Sequence, residues 1–215
     1  MANIGVFDSG IGGLSVANAI EKAFPAHTII YREDSKNVPY GTKTPEQIYG
    51  FVKPILTDLA KTCDIIVIAC NTVTTLLIDT LRAEIPIPLV GIEPMVKPAS
   101  QATHSGVITV CATPATLASA RYAHLKEQYA KQLSVIEPDC SDWASLIEKN
   151  AITTAKLRAD IEPSLQRGAD VVVLGCTHYH WIEAEIKHIV GSDVAVLQPE
   201  QAIVNRLQMM FSIDK

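Results

Sequence analysis

The chain has 215 residues, of which 48% are hydrophobic and 19% are charged, and its formal net charge at pH 7 is −5. This length suits one large domain or two domains of roughly 100 residues each, and the negative charge offers no basic surface for nucleic acid. No apolar run approaches the roughly 20 residues that span a bilayer, and the N-terminus lacks the basic segment of a signal peptide. We therefore expect a cytoplasmic protein with no nucleic-acid or membrane partner.

Short apolar runs predict eight strands, which alternate along the chain with helical patterns. The predicted strands lie near residues 4–7, 28–31, 65–69, 89–92, 107–111, 133–137, 171–175 and 194–197. The predicted helices lie at about 12–23, 45–62, 72–84, 94–103, 114–131, 143–150, 153–167, 182–190 and 201–212. Such alternation is typical of parallel α/β folds.

One seven-residue phrase occurs twice, as DIIVIAC at 64–70 and as DVVVLGC at 170–176. An unbroken apolar run predicts a strand buried on both faces of a parallel sheet. Each cysteine then lies just past the carboxyl end of a strand, where open α/β sheets place their ligand sites. The repeat predicts two similar parallel-sheet α/β domains related by pseudo-twofold symmetry, with the active site between them. We expect residues 1–93 plus 196–215 in the first domain and residues 94–195 in the second.

The five cysteines favour free thiols over a disulfide framework or a structural zinc site, because their number is odd and no pair forms a CxxC. Cys63 and Cys111 suit the role of small buried hydrophobic residues. The segment Cys176-Thr177-His178-Tyr179-His180 contains possible zinc ligands but no evident fourth ligand, so we expect no bound metal. A histidine beside a thiol more often tunes the pKa of that thiol or shares its proton.

Three further segments at strand ends carry candidate binding groups. The glycine-rich turn at 8–15 suits an anion, although it lacks the third glycine of a dinucleotide fingerprint and the Lys-Ser/Thr of a P-loop. A tight strand-to-helix turn is the simpler interpretation, which Asp8 and Ser9 at the strand end weaken. Tyr40 in the 37–41 loop is either a lid or a packing residue. The hydroxyls that follow residue 112 either cap a helix or hold a carboxylate.

At these motifs the chain resembles the glutamate racemases of the cofactor-independent Asp/Glu racemase superfamily. The resemblance runs from residue 3 to about residue 181 and is most specific at the two cysteine motifs. It is carried by Asp8-Ser9-Gly10-Ile11-Gly12-Gly13-Leu14-Ser15, Pro39-Tyr40-Gly41, Ala69-Cys70-Asn71-Thr72, Gly91-Ile92-Glu93-Pro94 and Gly175-Cys176-Thr177-His178-Tyr179. Weaker matches are the spacing of Thr113, Thr116, Ser119 and Tyr122, and that of Cys140 and Glu148.

The resemblance implies roles for thirteen residues and implies no cofactor. Cys70 and Cys176 would be the catalytic acid/bases, assisted by Asp8, Glu148 and His178. The residues that would line the substrate are Ser9, Tyr40, Gly41, Asn71, Thr72, Thr113, Thr116 and Thr177. The resemblance further implies glutamate as the small-molecule substrate, a homodimer, and supply of D-glutamate for peptidoglycan synthesis and cell shape.

The chain also departs from the family pattern at several positions near these motifs. Thr109 stands where a glycine is usual, and His180-Trp181 replaces a proline and an aliphatic residue. Val73-Thr74-Thr75 replaces a stretch of smaller residues, and Gln198 replaces an aspartate. These departures leave open a racemase of another amino acid such as aspartate, or a catalytically weak amino-acid-binding or regulatory protein.

The chemistry expected of the two cysteines is proton removal from one face of Cα and proton return to the other. A free thiol has a pKa of about 8.5, and a helix or turn start after each cysteine predicts a lower value that favours the thiolate. The resemblance assigns Cys70 to the D-enantiomer and Cys176 to the L-enantiomer. Side-chain and backbone donors would stabilise the charge that develops on the α-carboxylate.

Overall fold

The computed structural model describes residues 1–213 and contains two four-stranded parallel sheets. The strands are β1 (Asn3–Asp8), β2 (Thr28–Glu33), β3 (Ile65–Ile68), β4 (Leu89–Gly91), β5 (Val107–Ala112), β6 (Ser134–Ile136), β7 (Val171–Gly175) and β8 (Ala195–Leu197). The first sheet has the order β2-β1-β3-β4, and the second has the equivalent order β6-β5-β7-β8. All eight predicted strands are present, which confirms the prediction of two similar parallel α/β units.

Helices flank both sheets within the described residues. The α-helices are α1 (Leu14–Ala23), α2 (Pro45–Leu59), α3 (Asn71–Glu84), α4 (Val96–Ala102), α5 (Pro114–Leu117), α6 (Ala120–Tyr129), α7 (Trp143–Glu148), α8 (Thr154–Gln166), α9 (Glu183–Val190) and α10 (Glu200–Ile213). Short 3-10 helices lie at Ile11–Gly13, Tyr40–Thr42 and Thr177–Ile182, and we call the last the 177–182 helix. None of these helices, as far as residue 213, is long and apolar enough to cross a membrane.

The helix predicted at 114–131 is instead two helices, α5 and α6. The side chain of Ser119 accepts a hydrogen bond of 3.1 Å from the backbone N–H of Tyr122, and so caps α6. An N-cap residue has extended backbone dihedrals, which interrupts the helix before it. The hydroxyl pattern in this segment therefore marks two helix starts.

Strands β3 and β7 are inner strands of the two sheets and are buried along their whole length. Both faces are covered by helices, so continuous aliphatic sequence is what these positions require. Three side chains of α10, Ile203, Val204 and Leu207, pack in the same cluster as Val16 and Ile20 of α1. The last described helix therefore covers the first sheet.

The chain passes between the two sheets twice. It leaves the first sheet after β4 and enters the second through α4. Strand β8 stays paired with β7 as far as Leu197, so the return to the first sheet begins two residues later than the predicted crossover near residue 195. Parallel strands end at the same edge of a sheet, and this connectivity brings the carboxyl-end loops of both sheets to one cleft.

Candidate active site

A small cleft between the two units contains both repeated cysteines. Its cavity volume is about 10 Å³, which is room for about one water molecule, so the cleft is nearly closed in this structure. The lining residues are Ser9, Pro39, Tyr40, Gly41, Cys70, Asn71, Thr72, Thr113, Ala144, Cys176 and His178. Nine of the thirteen predicted site residues are in this set. Asp8, Glu148, Thr116 and Thr177 lie behind the wall, where each bonds or adjoins a residue of the cleft.

Cys70 lies between the end of β3 and the start of α3. Its Sγ donates a hydrogen bond of 3.5 Å to Oγ of Ser9, and the backbone N–H groups of Thr72 and Val73 point at the sulfur. Burial, together with the charge of Asp8, raises the pKa of Cys70 to about 12. The expected lowering by a helix start is thus present but smaller than the effect of burial, so the prediction of a lowered pKa is wrong.

Cys176 occupies the equivalent position after β7, with different partners. Nδ1 of His178 lies 3.9 Å from the Cys176 sulfur, and Nε2 of the same ring lies 2.6 Å from Oε1 of Glu148. A carboxylate only accepts hydrogen bonds, so Nε2 carries a proton, and in the neutral form of the ring Nδ1 then faces the thiol as an acceptor. Burial and the neighbouring Cys70 raise the pKa of Cys176, while backbone N–H groups of the 177–182 helix lower it.

Asp8 ties the end of β1 to the 177–182 helix. Its buried carboxylate accepts hydrogen bonds from the N–H groups of Gly10 and Gly13, at 3.3 and 2.9 Å, and from the Thr177 hydroxyl at 3.1 Å. Burial raises the pKa of Asp8, against the opposing effects of His178 and of these donors. Asp8 therefore positions the elements around both thiols rather than lining the cleft.

Two glycines of the 8–15 turn allow the two units to touch. A Cβ on Gly12 would lie 2.6 Å from the backbone nitrogen of His178, and one on Gly10 would lie 2.7 Å from Oε1 of Glu148. Real side chains do not approach so closely, so the 177–182 helix can pack here only against bare backbone. The glycine-rich sequence is thus explained by close packing across the cleft.

Three threonine hydroxyls join the two units on another side of the cleft. Oγ1 of Thr72 lies 3.0 Å from that of Thr113 and 3.4 Å from that of Thr116, and the Thr113 and Thr116 hydroxyls are 3.0 Å apart. Thr113 also caps α5 by accepting from the N–H of Thr116. Thr113 thus caps a helix and also lines the cleft, so the two interpretations of these hydroxyls do not exclude each other.

Asn71 and Tyr40 complete the wall of the cleft. Both polar atoms of the Asn71 amide are buried without a hydrogen-bond partner among the described residues, which is costly for a buried amide. The Tyr40 hydroxyl donates a hydrogen bond of 2.6 Å to Oδ2 of Asp34, and the ring is 2% exposed. Burial and Asp34 raise the pKa of Tyr40, so the phenol stays neutral. Tyr40 is a packing residue in this structure.

Three residues of this site were missed by the sequence predictions. Asp34 holds Tyr40 and also accepts from the side-chain amide of Asn37, so it fixes the 37–41 loop. Pro39 and Ala144 line the cleft directly. Ala144 lies four residues before Glu148 on α7, so helical spacing would have placed it on the same face. Nothing in the local sequence marks Asp34.

The histidines of the predicted Cys-His-His segment point to different partners. His178 faces Cys176 and Glu148, whereas Nδ1 of His180 lies 3.0 Å from Oε1 of Glu200. Across residues 1–213, no three His, Cys, Asp or Glu side chains are grouped so that they could hold a metal ion.

The geometry of this cleft agrees with the chain's similarity to known proteins. The family model described as Asp/Glu/Hydantoin racemase matches residues 4–207. A relative from Pseudomonas entomophila named glutamate racemase is 40% identical, over 97% of this chain and 81% of its own length.

Two solved structures give the same result. The Escherichia coli glutamate racemase in complex with L-glutamate and the activator UDP-MurNAc-ala is 29% identical, with a TM-score of 0.89 over 97% of this chain and 81% of that one. The Francisella tularensis glutamate racemase in complex with D-glutamate is 28% identical, with a TM-score of 0.84 over 99% and 82%. The chain thus belongs to the Asp/Glu/Hydantoin racemase family.

Proposed function

We propose that this chain is a glutamate racemase, which interconverts L- and D-glutamate without a cofactor by proton transfer between Cα and two thiols. The observation that carries the proposal is the pair Cys70 and Cys176, which occupy equivalent strand ends and face one cleft. The names of the similar proteins support glutamate as the substrate.

In the proposed reaction, one cysteine acts as a thiolate and the other as a thiol. The thiolate removes the α-proton from one face of Cα, and the thiol returns its own proton to the opposite face. A charge on Cys70 raises the pKa of Cys176, so ionisation of one thiol disfavours ionisation of the other. This coupling supports the one-thiol, one-thiolate state that the reaction needs. We assign Cys70 to the D-enantiomer and Cys176 to the L-enantiomer.

His178 and Glu148 assist Cys176 in this proposal. With Nε2–H donated to Glu148, Nδ1 of His178 takes the proton of the Cys176 thiol and so supplies the thiolate. Ser9 serves Cys70 through the 3.5 Å contact of its hydroxyl with the sulfur. Asp8 assists both sides by holding the 177–182 helix against the glycine-rich turn.

Charge that develops on the α-carboxylate needs donors, because the proposed reaction has no electron sink. Each well-placed donor contributes about 3 kcal/mol to such stabilisation. The unpartnered amide of Asn71 supports a role in holding the substrate. We assign the same role to Ser9, Gly41, Thr72 and Thr113, which also line the cleft. Tyr40, Thr116 and Thr177 would instead support the lining residues from behind, since their hydroxyls bond Asp34, Thr113 and Asp8.

The proposal extends to the organisation and setting of the protein. We assign residues 1–93 and the segment after β8 to one domain and residues 94–197 to the other, with the pairing of β8 with β7 and the packing of α10 on α1 as support. We further propose a cytoplasmic homodimer that supplies D-glutamate for peptidoglycan, since that product is what such a reaction provides.

The test incubates the purified chain with L-glutamate in deuterated water, without added cofactor, while the α-proton NMR signal and the optical rotation are followed together. Loss of both signals is the expected result. Parallel incubation with L-aspartate separates a glutamate racemase from a racemase of another amino acid. Glutamate binding without α-proton exchange would contradict the proposal and favour an amino-acid-binding protein on this scaffold.

A further inference from the structure

A second histidine–glutamate pair lies close to the first and has no part in the proposed reaction. His180 follows His178 by two residues on the 177–182 helix, and its side chain is 1% exposed. Its Nδ1 lies 3.0 Å from Oε1 of Glu200, the first residue of α10. Burial opposes ionisation of Glu200, but contact with His180 lowers the pKa of Glu200, so the group is a carboxylate that accepts from Nδ1–H.

A third group joins this pair from α1. Oγ of Ser15 lies 3.1 Å from Nδ1 of His180 and donates a hydrogen bond of 3.2 Å to the carbonyl of Gly12. Ser15 lies in the first turn of α1 and Glu200 is the first residue of α10, and both helices cover the first sheet. His180 belongs to the 177–182 helix, which follows β7 of the second sheet. The cluster therefore connects two helices of one unit to a single turn of the other.

That turn carries groups of the proposed reaction. Thr177 contacts Asp8, and His178 contacts both Cys176 and Glu148. A 3-10 helix rises about 2 Å per residue, so the backbone of His180 lies only about 4 Å along the helix axis from that of His178, whose ring faces the thiol. A misplacement of about 1 Å at a reacting group costs roughly a hundredfold in rate, so a fixed position for this turn has kinetic value.

We propose that His180 and Glu200, together with Ser15, form a clamp that positions the 177–182 helix so that His178 meets Cys176 in proton-transfer geometry. The clamp makes the start of α10 part of the catalytic assembly. A buried polar pair contributes little net stability compared with apolar packing, which suits a positioning role better than a purely stabilising one. The kinetic part of this inference rests on the proposed racemase function.

The first experiment measures glutamate racemisation in Glu200→Ala, Glu200→Gln and Ser15→Ala. We expect Glu200→Ala to lower kcat by about tenfold with little change in KM, because the affected group moves protons rather than holding substrate. Glu200→Gln should recover most of kcat, since its side-chain oxygen still accepts from Nδ1–H. The control is Glu84→Gln, which alters an ion pair with Lys53 far from the clamp and should leave kcat unchanged.

The α-deuterium isotope effect on kcat, measured from each enantiomer, separates positioning from general destabilisation. Misplacement of His178 should raise the isotope effect only in the direction in which Cys176 removes the proton. Unchanged kcat in both Glu200→Ala and Ser15→Ala, or equal changes of the isotope effect in both directions, would overturn the proposal.

A readout that does not need turnover keeps the clamp testable if the proposed function fails. Iodoacetamide alkylation followed by peptide mass spectrometry gives the rates at Cys176 and Cys70 separately. We expect Ser15→Ala and Glu200→Ala to lower the Cys176 rate by on the order of fivefold relative to Cys70, because a displaced His178 no longer supplies the Cys176 thiolate that reacts with iodoacetamide. An unchanged ratio in both variants would show that the turn is held by other contacts.

Discussion

Cys70 and Cys176 hold the same position in two equivalent sheets, yet their surroundings differ. Cys70 has a serine hydroxyl and the first amides of α3, whereas Cys176 has a histidine backed by a glutamate. The repeated strand places a thiol at each side of the cleft, but the loops that follow each strand supply its partners. The fold therefore sets the symmetry of the site, and the local sequence breaks it.

Among the changes considered, replacement of either thiol should have the largest effect on the rate of racemisation. We expect Cys70→Ala and Cys176→Ala each to lower racemisation by roughly a thousandfold, since each removes one of the two proposed general acid/bases. Polarimetry gives the rate, and circular dichroism checks that the fold is intact. If one variant kept most of its turnover, the two thiols could not be equivalent partners in the reaction.

Replacement of the side chains that contact the two thiols should have the next largest effect on kcat. His178→Asn should lower kcat by about a hundredfold, and Ser9→Ala by less, because a neutral hydroxyl bond contributes less than a general base. The α-deuterium isotope effect on kcat should rise with L-glutamate as the substrate in His178→Asn and with D-glutamate as the substrate in Ser9→Ala. A rise from the same enantiomer in both would contradict the assignment of one partner to each thiol.

Contact between the two units can be tested at Gly12. Gly12→Ala should reduce stability by about 1–3 kcal/mol and slow turnover, because its Cβ would meet backbone of the 177–182 helix. Gly50→Ala is the matched control, since Gly50 lies inside α2 with no atom within 4 Å of an added Cβ. That variant should gain about 0.5–1 kcal/mol in a urea titration. Equal stability of the two variants would mean that the turn relaxes freely.

The smallest effect at neutral pH concerns titration of the buried thiols. Burial raises the pKa of Cys70 above that of a free thiol, to about 12, so between these two values the folded state retains a proton that the unfolded state has lost. The contribution of this thiol to the free energy of unfolding is greatest below about pH 9. It decreases as the pH rises towards 12, by at most about 1.4 kcal/mol per pH unit. Cys70→Ala should therefore show a shallower alkaline decline than the wild type. An identical decline, measured by denaturant titration at several pH values, would argue against a buried neutral thiol.

Much of this architecture follows from the sequence because its signals are local. Unbroken aliphatic runs predict the buried strands, and the Thr44 and Gln47 capping box marks the start of α2. The resemblance and the repeated cysteines together indicate the cleft. The 3-10 geometry of the 177–182 helix escaped prediction, because six residues are too few to show a periodic pattern.

Contacts between distant segments could not be predicted from the residues alone. Glu200 meets His180 only because α10 returns to the first sheet, and Asp34 meets Tyr40 only once the 37–41 loop folds back. The pKa of Cys70 was expected to fall at a helix start, but burial cannot be read from one segment. Pairing across the chain and depth of burial are properties of the tertiary structure.

The threonine hydroxyls between the units have a consequence for any separation of the two sheets. Thr72 follows β3 of the first sheet, whereas Thr113 and Thr116 follow β5 of the second, and all three side chains are buried within hydrogen-bond distance of one another. A buried hydroxyl that loses its partner costs about 1–3 kcal/mol. Opening of the cleft on this side therefore has to supply water or ligand groups in place of these hydrogen bonds.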